Sequence, residues 1–142
     1  MKERHEYMKM ARDIATKNEV EGRKVGCVIV EKDSVATGYN HAPEAIANLP
    51  ILLHKKHICA ELWALADFGG VAGSLYVWPV PPCPACTLAI IGSRRIKEVV
   101  VPAPSPTHPV LGKRWQERWT FSKDVLAAHN IGVVELEKKA IA

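Results

Sequence analysis

Apolar residues at the start of the chain recur at helical spacing, with Tyr7, Met10, Ala11, Ile14 and Ala15 on one face. The pattern predicts a helix over residues 3–18, ended by Gly22. Val25-Gly26-Cys27-Val28-Ile29-Val30 is then a short apolar run rich in β-branched residues, which predicts a buried strand. Glu31-Lys32-Asp33-Ser34 is a polar turn, and Val35 to Tyr39 returns as the second arm of a hairpin. Residues 40–58 keep no period; Pro43 and Pro50 punctuate them, and Ile51-Leu52-Leu53 is an apolar knot inside them. A stretch this long without a period is functional or disordered in a compact domain. Because it leads straight into Cys59, it is read as a wall or lid of a site.

Helical and strand patterns alternate from there. A helix is expected from Cys59 to Phe68, stopped by Gly69-Gly70, and a strand from Ser74 to Val77. A second helix starts at Cys83 and ends near Gly92, and Ile96 to Val101 is a strand broken by Pro102, Pro104 and Pro106. Lys113 to His129 reads as a helix with Trp115, Trp119, Val125 and Leu126 as apolar positions. Asn130-Ile131-Gly132 closes it before a last strand, Val133 to Leu136. Alternation of this kind predicts an α/β domain with helices covering a central, partly parallel sheet. With no internal repeat and no linker, residues 1–142 are expected to form a single domain.

Composition narrows the class. An apolar fraction of 48% in 142 residues suits a globular core. No apolar run reaches the ~20 residues a membrane span needs. The start, Met-Lys-Glu-Arg-His-Glu, lacks the apolar core of a signal peptide, so a cytoplasmic protein without a membrane partner is expected. In that compartment four cysteines, two of them in a Cys-x-x-Cys, point to metal or redox chemistry before disulfides. A net charge of +4 favours an anionic ligand such as a nucleotide phosphate and tolerates nucleic acid, which is the less favoured partner. Arg23-Lys24, Lys113-Arg114, and His54 and His57 flanking Lys55-Lys56 are candidate phosphate contacts, with solvated surface as the alternative.

The chemistry concentrates in two blocks, Cys59-Ala60-Glu61 and Pro82-Cys83-Pro84-Ala85-Cys86. Each opens a predicted helix, where free N–H groups and the positive dipole end lower thiol pKa. Pro84 suits a first helical position, and Cys83 and Cys86, three apart, share a helix face. Cys59, Cys83 and Cys86 on one zinc leave a tetrahedral centre with an open corner, the catalytic arrangement. Glu61 lies about 200° round the helix from Cys59, at ~3.6 residues per turn, so it is no same-face ligand. It is placed instead to lean over the open corner and handle protons. The pattern Cys-x-Glu followed by Pro-Cys-x-x-Cys is the signature of zinc nucleobase deaminases. Two other readings stay open: a structural zinc closed by Cys27, and a redox Cys-x-x-Cys that leaves Cys59 and Glu61 unexplained.

Beyond these blocks, Tyr7-Met8, Val25 to Val30, Thr37-Gly38-Tyr39-Asn40, Ser74-Leu75-Tyr76-Val77, Cys83 to Ile91 and Ile96 to Val100 resemble the cytidine/deoxycytidylate deaminase superfamily, above all its deoxycytidylate branch. The resemblance implies a three-layer αβα sandwich with a five-stranded mixed sheet and one zinc. It further implies hydrolytic removal of an exocyclic amine and a homo-oligomer built by helix packing near the sites. It makes Glu61 the proton carrier and sets Asn40, Ala60 and Pro82 against the substrate, a small-molecule nucleoside or nucleotide. Three features depart from that branch. Cys59 stands where it has His; the Asn-x-Glu sugar clamp of the nucleoside branch is missing after Asn40; and Trp78-Pro79-Val80-Pro81 lengthens the approach to Cys83 by one residue. His41 also replaces the last glycine of the Gly-Tyr-Asn-Gly shared by triphosphate-regulated relatives. Trp63 and Trp78 are candidates to stack on a base or to sit in the core, and Trp115 and Trp119 to sit in the core or at a subunit contact. The expected substrate is a cytosine nucleotide or nucleoside, deoxycytidylate first. A tRNA adenosine, guanine or another aminated heterocycle is the alternative.

Overall fold

The apolar runs sort themselves by strand alternation into two cores, one on each face of a sheet. In a computed structural model the chain is described over residues 3–19, 22–44, 57–103, 112–137 and 141, with the backbone alone for residues 112–115. The elements are α1 (Arg4–Lys17), β1 (Gly26–Glu31), β2 (Ser34–Tyr39), α2 (Ala60–Asp67), β3 (Gly73–Trp78), α3 (Pro84–Ser93), β4 (Ile96–Pro102), α4 (Gly112–Ala128) and β5 (Gly132–Leu136). The five strands lie in the order β2-β1-β3-β4-β5. β1 runs antiparallel to β2 and β3, while β3, β4 and β5 are mutually parallel.

Successive side chains of a strand point to opposite faces. Cys27 and Ile29 of β1, Leu75 and Val77 of β3, and Val99 and Val101 of β4 therefore share one face. There they pack with Ala60, Ala64 and Leu65 of α2, Ile90 of α3, and Trp119 and Leu126 of α4. Val28, Val30, Tyr76 and Val100 take the other face, under Met8 and Ala11 of α1 and the C-terminal Ile141. The expected mixed five-stranded αβα sandwich is thus the observed one, with both site helices in the same layer. Each fully buried aliphatic side chain in these cores contributes about 1.5–3 kcal/mol.

Two details of the first helix differ from the expectation. α1 ends at Lys17, with Asn18 extended and Gly22 beyond the helix at φ +85°. Asn18 turns the chain because its amide donates to the Asn40 side chain at 2.7 Å. Met8, outside the expected apolar face, is fully buried with Ala11, while Tyr7, Met10 and Ile14 form the flanks. The long aperiodic stretch falls largely outside the described residues, as does the apolar knot at Ile51-Leu52-Leu53.

Gly38 is where the sheet meets the site. A Cβ added there would lie 2.4 Å from the Ala60 carbonyl oxygen and 2.6 Å from the Ala64 backbone nitrogen. α2 can lie directly on β2 only because this position has no side chain. Gly38→Ala should cost about 1–3 kcal/mol as overpacking, and should lower zinc retention with it, since α2 must lift. Chemical denaturation and metal analysis check both.

Glu98 links α1 to the sheet, accepting from Arg4 Nη1 at 2.8 Å and from the Ser74 hydroxyl at 2.6 Å. Burial pushes its pKa up, but the Arg4 and Ser74 hydrogen bonds and the Arg4 charge outweigh it and hold it below 4.5. A lowered folded-state pKa gives stability that is present above the unfolded value and lost as pH falls through the folded one. Below pH 4.5 the denaturant midpoint should therefore fall more steeply for the native protein than for Arg4→Met.

Candidate active site

Cys59 is the residue before α2, in extended conformation, and its carbonyl accepts from the Leu62 and Trp63 N–H groups at 3.1 and 3.2 Å. Cys83 occupies the same position before α3, followed by Pro84 at the start of the helix as expected. Its sulfur accepts a hydrogen bond from the Cys86 backbone N–H at 3.4 Å. The two helix starts converge, and the Sγ atoms of Cys59, Cys83 and Cys86 all lie within 4.8 Å of one another. A tetrahedron with metal–sulfur bonds of about 2.3 Å has edges of roughly 3.8 Å, so the cluster fits a single ion. Three soft sulfur donors suit zinc among the metals that prefer thiolates.

Electrostatics agree with a metal centre. Hydrogen bonds from the Cys59 and Cys86 thiols, with the backbone N–H groups of Cys86 and Ala85, drive the Cys83 pKa down, whereas Cys59 and Cys86 are driven up. Three adjacent thiols cannot all ionise without a cation among them. Cys27 is different. It is fully buried in β1, burial and then the Glu61 charge raise its pKa, and it stands outside the sulfur cluster. A small core residue is its role. Among the described residues no fourth His, Cys, Asp or Glu joins the three sulfurs.

Glu61, in the first turn of α2, is only 5% exposed. Burial pushes its pKa up to about 7, its own backbone N–H pulls it down, and the Cys83 charge raises it further. Few carboxylates are this buried without a functional partner. Ala60 is fully buried in the core, and Pro82 is buried just before Cys83.

Asn40 is braced on several sides. Its Oδ1 accepts from Val25 N at 2.8 Å and from Asn18 Nδ2, and its Nδ2 donates to the Arg23 carbonyl at 2.8 Å. The exposed Arg23 and Lys24 are thereby held beside it. His54, Lys55 and Lys56, and the side chains of Lys113, Arg114 and Trp115, lie outside the described residues; His57 is half-buried. Of the aromatic candidates, Trp63 stacks on His41 with ring centres 4.3 Å apart, and His41 in turn stacks on Tyr39 at 4.1 Å. Trp78 packs with the α1 cluster, on the sheet face away from the sulfurs, so strand alternation removes it from the base-stacking set. Trp119 is core and donates from Nε1 to Glu135.

Two supports had no signal in the sequence. His41 pairs with Ile58 through two backbone hydrogen bonds of 3.3 and 2.9 Å, which tie the chain after β2 to the residue directly before Cys59. Arg95 donates to the Leu65 carbonyl at 2.8 Å and to that of Phe68, capping the C-terminal end of α2 from the connection between α3 and β4. Both are contacts between segments distant in the chain, and no local pattern encodes them.

A profile of the cytidine and deoxycytidylate deaminase zinc-binding region matches residues 1–103. The chain belongs to that family. Membership makes this deaminase-family protein a zinc-dependent aminohydrolase, and the sulfur cluster is where its residues can hold the ion. Among solved structures, this family member is similar in fold to the dCMP deaminase of cyanophage S-TIM5, at 23% identity and a TM-score of 0.70, over 96% of this chain and 100% of that one. The same phage enzyme in complex with dCMP and dUMP matches at 21% identity and a TM-score of 0.70, over 96% and 99% of the two chains. The guanine deaminase of Nitrosomonas europaea matches at 20% identity and a TM-score of 0.67, over 99% of this chain and 82% of that one. No curated protein sequence matches the chain.

Metal content separates the roles of the four cysteines. Cys27→Ala should keep one zinc per chain, whereas Cys59→Ser, Cys83→Ser and Cys86→Ser should each lose it, as read by elemental analysis of freshly purified protein.

Proposed function

We propose that this family member hydrolyses the exocyclic amine of a cytosine nucleotide or nucleoside, deoxycytidylate first, to the uracil product and ammonia. The observation that carries the reading is a buried Glu61 beside a three-sulfur cluster that no fourth side chain closes among the described residues. Cys59, Cys83 and Cys86 would hold the zinc. Bound there, zinc lets water ionise near neutral pH instead of at about 15.7.

The chain's own groups then move the protons. A carboxylate oxygen of Glu61 takes a proton from water as the water oxygen attacks the amine-bearing ring carbon, and passes it to the adjacent ring nitrogen. A second transfer through the same carboxyl protonates the amine, which leaves as ammonia. Pro82 and the Ala60 backbone would border the base, where the buried walls exclude bulk water. The Asn40 amide has one N–H beyond its three bonds, which would meet the sugar. Arg23 and Lys24, held beside Asn40, support a phosphorylated substrate over a free nucleoside, as does the missing Asn-x-Glu clamp. The structural likeness to a dCMP deaminase crystallised with dCMP and dUMP is consistent with this substrate. A comparable likeness to a guanine deaminase makes guanine the second reading.

Ammonia release from a panel of dCMP, CMP, deoxycytidine, cytosine, guanine and a tRNA tests the substrate; turnover of guanine or tRNA without turnover of any cytosine compound would replace it. Glu61→Gln should keep full zinc and lower kcat by about 10²- to 10⁴-fold, the contribution of a positioned proton carrier. Native turnover in that variant would remove Glu61 from the mechanism.

A further inference from the structure

We infer that Thr87 and Ser122 form a buried hydroxyl relay that fixes the orientation of Cys83, making them positioning residues of the metal centre. The inference rests on the zinc-site reading and extends it to α4, which contributes none of the cluster. Thr87 and Ser122 are both fully buried. They meet in the seam between α3 and α4, with Oγ1 and Oγ 3.1 Å apart. Thr87 Oγ1 also stands 3.0 Å from the Cys83 carbonyl oxygen, which accepts the Thr87 backbone N–H at 2.9 Å as well.

Proton counting orders the chain. A hydroxyl has one hydrogen. The Cys83 carbonyl can only accept, so the Thr87 hydrogen goes there. Ser122 then donates to Thr87 Oγ1, the acceptor that lies within its reach. The direction is Ser122 to Thr87 to the Cys83 carbonyl, and each donor polarises the next. The Cys83 carbonyl is thereby held by two donors from one residue. That fixes the backbone of Cys83 at φ −69° and ψ 165°, the conformation that places its sulfur over the start of α3. A threonine bonding back to the carbonyl four residues earlier is ordinary in helices. A second buried hydroxyl supplied by another helix is not, and the chain of bonds it begins ends on a residue of the sulfur cluster.

The test uses zinc-loaded protein and a chromogenic chelator, with release of zinc as the readout. Groups that orient metal ligands change affinity by roughly 10- to 100-fold when removed. Thr87→Val should release zinc faster by that factor, Ser122→Ala by a smaller one, and Thr87→Ser should behave as the native protein. Cobalt-loaded Thr87→Val should show a shifted sulfur-to-cobalt charge-transfer band, restored in Thr87→Ser. Thermal unfolding of the zinc-free forms serves as the control for packing. Native zinc release and an unshifted band in Ser122→Ala and Thr87→Val would overturn the relay, even if both variants melt earlier. Should Thr87→Val not fold, Ser122→Ala against Thr87→Ser decides. A native protein that binds no zinc would remove the metal centre itself, a different failure from a relay without effect.

Discussion

The structure depends on the convergence of two helix N-termini that bring three sulfurs within 4.8 Å. Neither helix could hold that arrangement alone. Without a cation the sulfurs compete for protons, since like charges at this spacing repel. The competition shows in the thiols themselves, Cys83 driven down and its two neighbours driven up. A divalent ion removes the conflict, so metal binding and the ordering of these helix starts are one equilibrium.

The rest of the fold can be read as support for that convergence. Gly38 lets α2 lie on the edge strand without a gap. Arg95 neutralises the negative end of α2 while tying it to the start of β4, so the far ends of the two site helices are joined. The His41–Ile58 bridge fixes the chain one residue before Cys59, and Trp63 reinforces it by donating to the His41 carbonyl at 3.1 Å. α1 lies on the opposite face, and Asn18, just beyond its end, ties it to Asn40.

The same logic separates the four cysteines. Three sit at helix starts, where backbone N–H groups and the helix dipole favour a thiolate. The fourth, Cys27, sits mid-strand under α2, where burial keeps it protonated. Identical side chains take opposite roles because their surroundings differ in polarity. A carboxylate in the same layer, Glu61, is kept from water by that core, close enough to the sulfurs for the Cys83 charge to raise its pKa.

Period and spacing in the sequence determined the elements to within about two residues at most boundaries, and the Cys-x-Glu and Pro-Cys-x-x-Cys blocks pointed to the three cysteines that the fold brings together. Those signals are local: helix period, strand alternation and the chemistry of helix starts act over a few residues and leave a direct trace in the chain. The exact end of α1, the central place of Met8 and the orientation of Trp78 were decided by packing between distant segments. So were the carbonyls that Arg95 would reach, the stack around His41 and the meeting of Thr87 with Ser122. Which face a strand residue takes, and which hydroxyl finds which partner, is fixed only when the sheet closes, because burial is a property of the assembled layers and no short window of sequence contains it.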